Sequence, residues 1–440
     1  MDAAIFAQRR RRVLDAIGAD AVAVFAAAPE RTRSNDVEYR YRQQSDFYYL
    51  TGFGEPGAVC VLQPGHATEE YLLFVRPRDR ERETWTGRRA GIEGAVADFG
   101  ASMAYPIDEL DRRLPALIAE REQLYYLMDR DAAFTARMLA WLEAASATRP
   151  RSGRGPTGLL DARPLVHELR LFKAPEELDA MRRAMAISAE AHIAAMREAR
   201  AGRNEYEIEA LIEYTFRRHG AAGPAYPSIV AGGANATILH YINNDRPLAA
   251  EDLLLIDAGA ELECYCADIT RTFPVGRRFE GRRRAVYEVV LAAQLAAIDA
   301  VRPGARFDDP HQRAVRVLVE GLVELGILKG SVEEIERQEL YKPVYMHRTS
   351  HWLGMDVHDV GLYKQADGAR VLEPGMVLTI EPGLYIADHL ETIDADWHGI
   401  GVRIEDDVLV TATGHEVLTA AVPKAVGEIE HLRGDAVSSR

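Results

Sequence analysis

The sequence predicts an α/β (α+β) fold in two domains, and three observations lead to this prediction. The 440 residues, 48% of them hydrophobic, exceed what one ordinary core organises. Up to about residue 170, short apolar runs alternate with helical stretches. From there on, long amphipathic helices are followed by glycine-rich extended segments. We expect one domain over residues 1–172 and a second over 173–440.

The strands of the first domain are predicted from apolar runs bounded by polar or turn-forming residues. They lie at 21–25, 46–50, 57–62, 71–75 and 124–128, and the helical stretches lie around 8–17 and 107–121. The segment TRPRSGRGPTG at 148–158 has no apolar period, which predicts a loop or linker close to the domain boundary.

The second half repeats one order of elements, although the two copies match only weakly. A helix begins near Pro175, and the helix after it ends at Gly220. A long helix from Arg283 and another ending at Gly326 repeat that order. Two such halves would face each other around a pseudo-twofold axis. His192 lies on the apolar face of the first helix and is interpreted as a core histidine, not a ligand.

Charge and cysteine content narrow the class of protein. The net charge of −15 argues against nucleic acid or an anionic membrane as partner. No stretch approaches ~18 apolar residues, and the N-terminus lacks an apolar signal core, so neither spanning nor secretion is predicted. The chain has three cysteines, and the spacing of Cys264 and Cys266 does not suit a zinc knuckle. We expect reduced thiols and a cytoplasmic protein.

Four carboxylates and one histidine stand in separate glycine- or proline-marked segments. Buried acidic side chains are costly unless they are paired or bound to metal. Five such ligands exceed the needs of one small ion and suit two adjacent divalent ions, an arrangement that activates water for hydrolysis. The residues are Asp257, Asp268, His351, Glu381 and Glu405.

Two of these acids, Asp257 and Asp268, flank a polar stretch. If they lie on the arms of a β-hairpin whose paired residue numbers sum to 525, they face each other about 5 Å apart. Such closeness is repulsive for bare anions and favourable around cations. A hairpin with two surface acids is an equally good interpretation of this pair alone.

Three histidines lie within twelve residues, at His347, His351 and His358. Position 348 is Arg, so the zinc-protease HExxH helix does not apply, and Gly354 indicates a loop instead. One metal ligand with two acid–base or hydrogen-bonding groups is a natural division of roles.

Glu381 follows the strand-like VLTI and precedes Pro-Gly, so we expect it where a strand turns. Glu405 lies two residues after Arg403 and shares its strand face, where the arginine would orient a carboxylate or receive an anionic group. Asp406 and Asp407 are interpreted as turn acids, and Asp406 is expected on the opposite face. His240, in ATILHYIN, is expected in an extended segment.

With these residues considered, the chain resembles the pita-bread metallopeptidases and, within them, the aminopeptidase P family. The catalytic motifs are PSIVAGGANATILHY, LLIDAGAE, ADITRTFPV, SHWLGMDVHDVG, EPGMVLTIEPGLYI and GVRIEDD. TRSNDVEYRYRQQSDFYYLTGF and ETWTGRR carry the resemblance in the N-terminal half. It implies a creatinase-like domain ahead of a pita-bread catalytic domain with pseudo-twofold symmetry.

The resemblance also implies an activity, metallo-exopeptidase release of the N-terminal residue from peptides with proline in second position. It maps the five ligands onto a dinuclear centre bridged by Asp268 and Glu405. Glu381 would also relay a proton and His358 would stabilise the oxyanion. Oxygen-rich ligation favours two Mn²⁺ per subunit, with Zn²⁺ or Co²⁺ able to compete. The remaining roles fall to His240, His358 and Arg403 around the centre and to His347, Tyr385 and Trp85 near the substrate proline.

The nearest alternative is a prolidase restricted to Xaa-Pro dipeptides, and a more distant one is a non-catalytic binding module on the same fold. For assembly we expect a homo-oligomer, a dimer of dimers (homotetramer), whose N-terminal domain narrows access to the site. The cluster of Trp85, Arg88 and Arg89 has the composition of an interface. A lone surface tryptophan is the alternative interpretation.

Overall fold

A computed structural model describes residues 2–128 and 131–438, with side chains described as far as residue 434. The chain forms two compact units, the first ending at Arg170 and the second beginning at Leu171. None of the helices in the described part of the chain has the length and apolarity needed to cross a membrane.

The N-terminal unit is built on a mixed six-stranded sheet of order β6-β5-β4-β1-β7-β8, with a separate β2-β3 pair. Its strands are β1 (Ala21–Ala26), β2 (Thr32–Ser34), β3 (Val37–Glu38), β4 (Val59–Leu62), β5 (Tyr71–Val75), β6 (Met103–Pro106), β7 (Gln123–Tyr126) and β8 (Gly158–Asp161). Its helices are α1 (Ala3–Ile17), α2 (Ser45–Thr51), α3 (Arg80–Thr86), α4 (Gly91–Ala97), α5 (Leu110–Ala119), α6 (Ala132–Ser146), α7 (Arg149–Ser152) and α8 (Arg163–Leu171).

The predicted strand at 46–50 is wrong, because these residues form helix α2. The Gln44 side chain accepts a hydrogen bond from the Phe47 N–H at 2.6 Å, and Gly52 ends the helix with a φ of 65°. Asp46 in the first turn pairs with Arg170 at 2.7 Å. The apolar run fits a helix or a strand equally well, and its capping residues favour the helix.

The second unit contains the repeated pairs of long helices. Gly220 and Gly326, with φ of 90° and 70°, follow the second helix of each pair, so the predicted order of elements is confirmed. The helices are α9 (Pro175–Glu198), α10 (Glu205–Arg218), α11 (Gly281–Ala300), α12 (Asp309–Glu324), α13 (Val332–Arg337) and α14 (Val426–Ser438).

Between and after these helices run short antiparallel strands. They form the sheets β10-β11-β14, β13-β12-β9, β17-β20-β21, β18-β19 and β15-β16. The strands are β9 (Gly223–Pro224), β10 (Ile229–Gly232), β11 (Leu253–Asp257), β12 (Ala260–Leu262), β13 (Tyr265–Cys266), β14 (Thr270–Pro274), β15 (Lys364–Gln365), β16 (Gly368–Ala369), β17 (Val377–Ile380), β18 (Gly383–Ile386), β19 (Ile400–Arg403), β20 (Asp406–Val410) and β21 (His415–Val417).

The register between β11 and β14 differs from the predicted one by two residues. Asp257 pairs with Thr270, not with Asp268. The reversal is a two-residue turn in which Glu263 and Cys264 both have positive φ, 51° and 65°, and this turn sets the register of both arms. A shift of two residues keeps each side chain on its original face of the sheet. The two acids therefore stay on one side, as the site requires.

Two further contacts join this sheet to the strands that follow it. The Thr272 hydroxyl donates to the Arg403 carbonyl oxygen at 2.9 Å and accepts from the Arg403 N–H at 3.2 Å. The Glu405 N–H donates to the Thr270 carbonyl oxygen at 3.0 Å. These bonds bring the segments that carry Asp268 and Glu405 side by side.

Candidate active site

Three of the predicted ligands meet at one point in the second unit. Ligand atoms of Asp268, His351 and Glu405 lie within 4.8 Å of one another. Asp268 stands two residues before β14, and Glu405 links β19 to β20. Both carboxylates are buried. The cluster thus draws on segments far apart in the sequence.

The hydrogen bonds of His351 leave one ring nitrogen facing the carboxylates. Its Nδ1 lies 3.0 Å from the Trp352 carbonyl oxygen, an acceptor, so this nitrogen carries the proton when the ring is neutral. Its Nε2 lies 3.4 Å from Asp268 Oδ2 and 3.6 Å from Glu381 Oε1. A backbone acceptor that fixes the tautomer is the usual support for a metal-ligating histidine.

Glu381 lies between β17 and β18, which confirms the prediction that it sits where a strand turns. Its N–H donates to the Thr349 carbonyl oxygen at 2.8 Å. The Thr379 hydroxyl donates to Glu381 Oε1 at 3.4 Å and accepts from the His351 N–H at 3.1 Å. The backbone of this corner therefore aims Glu381 at the imidazole.

Asp257 joins the cluster through Tyr226. The Tyr226 hydroxyl lies 2.6 Å from Asp257 Oδ1 and 2.5 Å from Asp268 Oδ1. The sequence interpretation missed this tyrosine, although it stands directly before the PSIVAGG motif. A hydroxyl shared by two carboxylates holds them at a fixed separation.

Arg403 connects the carboxylates to the predicted substrate pocket. Its guanidinium donates to Asp257 Oδ2 at 2.6 Å, to the Thr270 hydroxyl at 3.1 Å and to the Tyr385 hydroxyl at 3.0 Å. Thr270 in turn donates to Glu405 Oε2 at 2.6 Å. The predicted shared face of Arg403 and Glu405 is confirmed, because both side chains meet the same threonine hydroxyl.

The electrostatics of the cluster are those of anions in excess. Burial raises the pKa of Asp268 and Glu405, and neighbouring carboxylates raise it further. Burial also raises the pKa of Glu381, to about 7, against the opposing influence of His351 and Arg403. Burial alone would lower the pKa of His351, but the Asp268 and Glu381 carboxylates raise it to about 9. Carboxylate oxygens and an imidazole nitrogen suit Mn²⁺, Zn²⁺ or Co²⁺, so the residues fit a divalent cation.

Two further imidazoles border the cluster. The rings of His358 and His351 meet edge to face, with centroids 4.4 Å apart. Burial lowers the pKa of His358, and His351 and His240 lower it further. His240 is exposed and lies in a turn, so the predicted extended segment is wrong. The small residues of 233–237 form a 3₁₀ helix there, a tight turn in place of a pleated strand.

The loop that carries His240 is held by Glu205, a residue that the sequence interpretation missed. This fully buried carboxylate, at the start of α10, accepts hydrogen bonds from the Gly232 N–H at 2.7 Å and the Asn235 amide at 3.0 Å. Its other oxygen accepts from the Tyr241 hydroxyl at 2.8 Å and the Arg246 N–H at 2.9 Å. Four donors on one carboxylate fix both ends of the loop.

The remaining predicted site residues divide between the two units. His347 Nε2 lies 2.8 Å from the Tyr385 hydroxyl, and its Nδ1 lies 3.7 Å from Glu381 Oε2. Burial lowers the pKa of His347 to about 3, so this ring is neutral at physiological pH. Trp85 belongs to α3 of the N-terminal unit and is 86% exposed.

Asp406 is not a turn acid, and neither is Asp407, because both begin strand β20 and both are fully buried. The guanidinium of Arg271 lies 2.7 Å from Asp406, and the Asp268 N–H donates to Asp407. Contacts with residues distant in sequence therefore stabilise these two acids in the interior.

Comparisons with known proteins agree with this geometry. Residues 179–412 match the model of metallopeptidase family M24, and residues 6–126 match that of the aminopeptidase P N-terminal domain. The chain is 45% identical to an Escherichia coli Xaa-Pro aminopeptidase, with 97% of each chain covered. It is 34% identical to human Xaa-Pro aminopeptidase 3, covering 97% of this chain and 85% of the relative.

Solved structures lead to the same family. A Pseudomonas aeruginosa aminopeptidase superposes with a TM-score of 0.97 at 49% identity, covering 100% of this chain and 99% of the other. An Escherichia coli aminopeptidase P variant in complex with substrate superposes with a TM-score of 0.96 at 44% identity, covering both chains completely. The predicted fold class is confirmed. The chain belongs to metallopeptidase family M24 and carries the N-terminal domain of aminopeptidase P ahead of its peptidase domain.

Proposed function

We propose that the chain is an Xaa-Pro aminopeptidase, a hydrolase that releases the N-terminal residue from peptides with proline in second position. The observation that carries the chemistry is the buried meeting point of Asp268, His351 and Glu405. The specificity is supported by the relatives named Xaa-Pro aminopeptidase, which match this chain over nearly its whole length. Catalysis belongs to residues 173–440, and residues 1–172 serve oligomerisation and substrate access.

Five predicted ligands would hold two Mn²⁺ ions per chain: Asp257, Asp268, His351, Glu381 and Glu405. Four carboxylates around one imidazole support this assignment, because oxygen donors favour Mn²⁺ over ions that prefer thiolates. When bound, the metals would lower the pKa of water towards about 7 and polarise the scissile carbonyl. Zn²⁺ and Co²⁺ compete for the same ligands.

The side chains around the centre supply the proton transfers. Glu381, whose carboxylate lies 3.6 Å from His351 Nε2, accepts a proton from the nucleophile and returns it to the leaving nitrogen. A ring N–H of His358 donates to the oxygen that becomes negative in the transition state. His240 is near enough to lower the pKa of His358, which supports a catalytic role for His240 as well. Arg403 holds Asp257 in place through a buried ion pair at 2.6 Å.

Recognition of the substrate falls to the pair of His347 and Tyr385, joined at 2.8 Å. The Xaa-Pro bond has no N–H and its proline has a fixed φ, so it needs a pocket shaped for the ring. The neutral imidazole and the phenol ring present surfaces suited to an apolar pyrrolidine. Trp85 is the third residue that we propose contacts the substrate proline.

A panel of peptides tests the activity. We expect cleavage of Xaa-Pro-Yaa tripeptides, no turnover when the N-terminus is acetylated, and much slower turnover when alanine replaces proline. Preference for Xaa-Pro dipeptides over the tripeptides would instead assign a prolidase. Efficient release of residues from proline-free peptides would refute the proposed specificity.

We propose a cytoplasmic homotetramer, a dimer of dimers. Three cysteines are too few for a disulfide framework, which supports a reducing compartment. The exposed Trp85 side chain supports an interface, since aromatic residues are enriched there. Light scattering should give four copies, and Trp85→Ala should weaken assembly or raise KM. A fully active monomer would contradict this assembly.

A further inference from the structure

A buried ion pair outside the ligand cluster joins the start of the second unit to the histidine segment. Lys173 Nζ lies 3.0 Å from Asp359 Oδ2, and each side chain is 1% exposed. Asp359 directly follows His358 in sequence. Burying two charges is expensive, so a pair retained at such depth calls for a role beyond stability.

The backbone of Asp359 is tied to the metal-facing histidine. The Trp352 carbonyl oxygen accepts from His351 Nδ1 at 3.0 Å and from the Asp359 N–H at 2.9 Å. One carbonyl group therefore sets the orientation of the His351 ring and the position of Asp359. A displacement of Asp359 is transmitted to His351 through this carbonyl and to His358 through the adjoining peptide bond.

The other half of the pair is equally fixed. The Lys173 N–H donates to the Gly375 carbonyl oxygen at 2.8 Å, two residues ahead of α9. The packing is tight, because a Cβ on Gly354 would lie 2.1 Å from Asp359 Oδ2 and 2.9 Å from Lys173 Cε. A side chain at position 354 would therefore displace the ion pair.

Lysine is rare in this chain, with five among the 53 lysine and arginine residues. Lys329, Lys342 and Lys364 are exposed. The other two, Lys173 and Lys424, pair with buried aspartates. An ammonium group is compact, whereas a planar guanidinium needs more space. The crowding beside Gly354 gives a physical reason for lysine at position 173.

We propose that Lys173 and Asp359 are positioning residues, which hold His351 and His358 in register with each other. The part that concerns His358 rests on the proposed function, because it assumes that this ring acts on the substrate. The part that concerns His351 is independent of the substrate. It can be measured in the visible absorption spectrum of bound Co²⁺.

The test is Lys173→Met, with Arg433→Met as the matched control. Arg433 is also a buried cation, and its guanidinium donates to backbone carbonyl groups including those of Met196 and Val275, outside the histidine segment. We expect Lys173→Met to lower kcat about 10–100-fold with KM within about threefold, because a misplacement of the order of 1 Å has that effect. Loaded with Co²⁺, it should show altered visible absorption bands. Arg433→Met should lose thermal stability and keep kcat and the Co²⁺ spectrum.

Asp359→Asn, which preserves the shape of the side chain, gives a second readout if Lys173→Met does not fold, and the same changes in kcat and spectrum are expected. Wild-type kcat with a wild-type Co²⁺ spectrum in a folded variant of this pair would overturn the proposal. So would an equal loss of kcat in Arg433→Met, since stability alone would then explain the effect. If the unmodified protein does not cleave Xaa-Pro peptides, the proposed function fails, and the Co²⁺ spectrum still tests the pair.

Discussion

Glu405 and Asp406 are neighbours in sequence, both are buried, and they have opposite electrostatic surroundings. Glu405 faces the other carboxylates of the ligand cluster, and burial followed by the charge of Asp268 raises its pKa well above the ordinary value. Asp406 points the other way and forms two ion pairs. Its Oδ1 lies 2.7 Å from the Arg271 guanidinium, and its Oδ2 lies 2.6 Å from Lys424 Nζ. These cations hold the pKa of Asp406 well below its usual range despite burial.

The difference separates a structural ion pair from a ligand site. Around Asp406 the protein supplies its own cations, so the charge is balanced within the chain. On the other face, four carboxylates have Arg403 and His351 as their neighbouring cationic groups. That excess of negative charge is stabilised when divalent ions bind. One face of this segment, the structural face around Asp406, is therefore balanced within the chain. The other, the ligand face around Glu405, is balanced only when cations bind.

The largest effect should come from the ligand face. Asp268→Asn removes a proposed ligand, so kcat should fall by more than about 10³-fold, because water activation depends on the metals. Elemental analysis should show the loss of bound Mn²⁺. Glu416→Gln, an exposed carboxylate paired with Arg182, is the control and should retain both activity and metal. Near wild-type turnover in Asp268→Asn would remove that residue from the centre.

A substitution on the structural face should instead change the stability of the fold. Arg271→Met breaks the buried pair with Asp406 and removes the donors to the Glu405 and Thr270 carbonyl groups. We expect the free energy of unfolding in urea to fall by about 3–5 kcal/mol. Glu405→Gln in metal-free protein should cause no such fall, since the raised pKa of Glu405 already favours an uncharged carboxyl, which the amide resembles. Equal destabilisation by both changes would erase the distinction between the two faces.

His358 should affect catalysis and leave both faces intact. His358→Ala should lower kcat about 10²–10³-fold if the ring stabilises the oxyanion. Metal content and melting temperature should stay close to wild type, because this residue is exposed beside the cluster. A variant that turns over at the wild-type rate would exclude His358 from the mechanism.

The smallest effect is a pH dependence confined to the metal-free protein. Glu381 has a folded pKa of about 7 against an ordinary 4.5, because burial disfavours its charge. Because the carboxyl pKa is raised, the contribution of Glu381 to the free energy of unfolding is complete below pH 4.5. That contribution is lost as the pH rises through about 7. Metal-free Glu381→Gln should therefore match wild type near pH 4.5 and exceed it by on the order of 3 kcal/mol above pH 7.

Denaturant titrations of both proteins at several pH values would measure this difference. Saturating Mn²⁺ should reverse it, since the metal stabilises wild type and binds the variant less well. A constant difference across the pH range would show that Glu381 keeps its ordinary pKa.

The periodicity of the sequence was sufficient for most of the fold. The cost of burying unpaired acids, together with the family resemblance, pointed to a shared metal site at Asp268, His351 and Glu405. The long helices and the Glu381 corner follow from local patterns and turn residues. The predicted β11–β14 register was wrong by two residues, because the true register depends on the positive φ of Glu263 and Cys264. Neither residue type is typical of a position with positive φ. The prediction that the two acids share one face was still correct, because the side-chain period of a strand is two.

Residues that depend on distant partners were not predicted. Tyr226 became a site residue because the fold brings it to two carboxylates 31 and 42 positions away. Glu205 resembles any acidic residue of a helix first turn until its four loop donors are known. Asp406 resembled a turn acid because Arg271 is 135 positions away. Such long-range pairings are invisible to local propensity.

Metal stoichiometry shows whether the ligand face is built for two divalent ions. The protein should be stripped with a chelator, reconstituted with Mn²⁺ in steps, and assayed for bound metal and for Xaa-Pro-Yaa cleavage at each step. We predict that the stripped protein is inactive and that full activity is reached near two equivalents of Mn²⁺ per chain. Full activity at half an equivalent or less would contradict the claim that these buried carboxylates are arranged for two divalent ions.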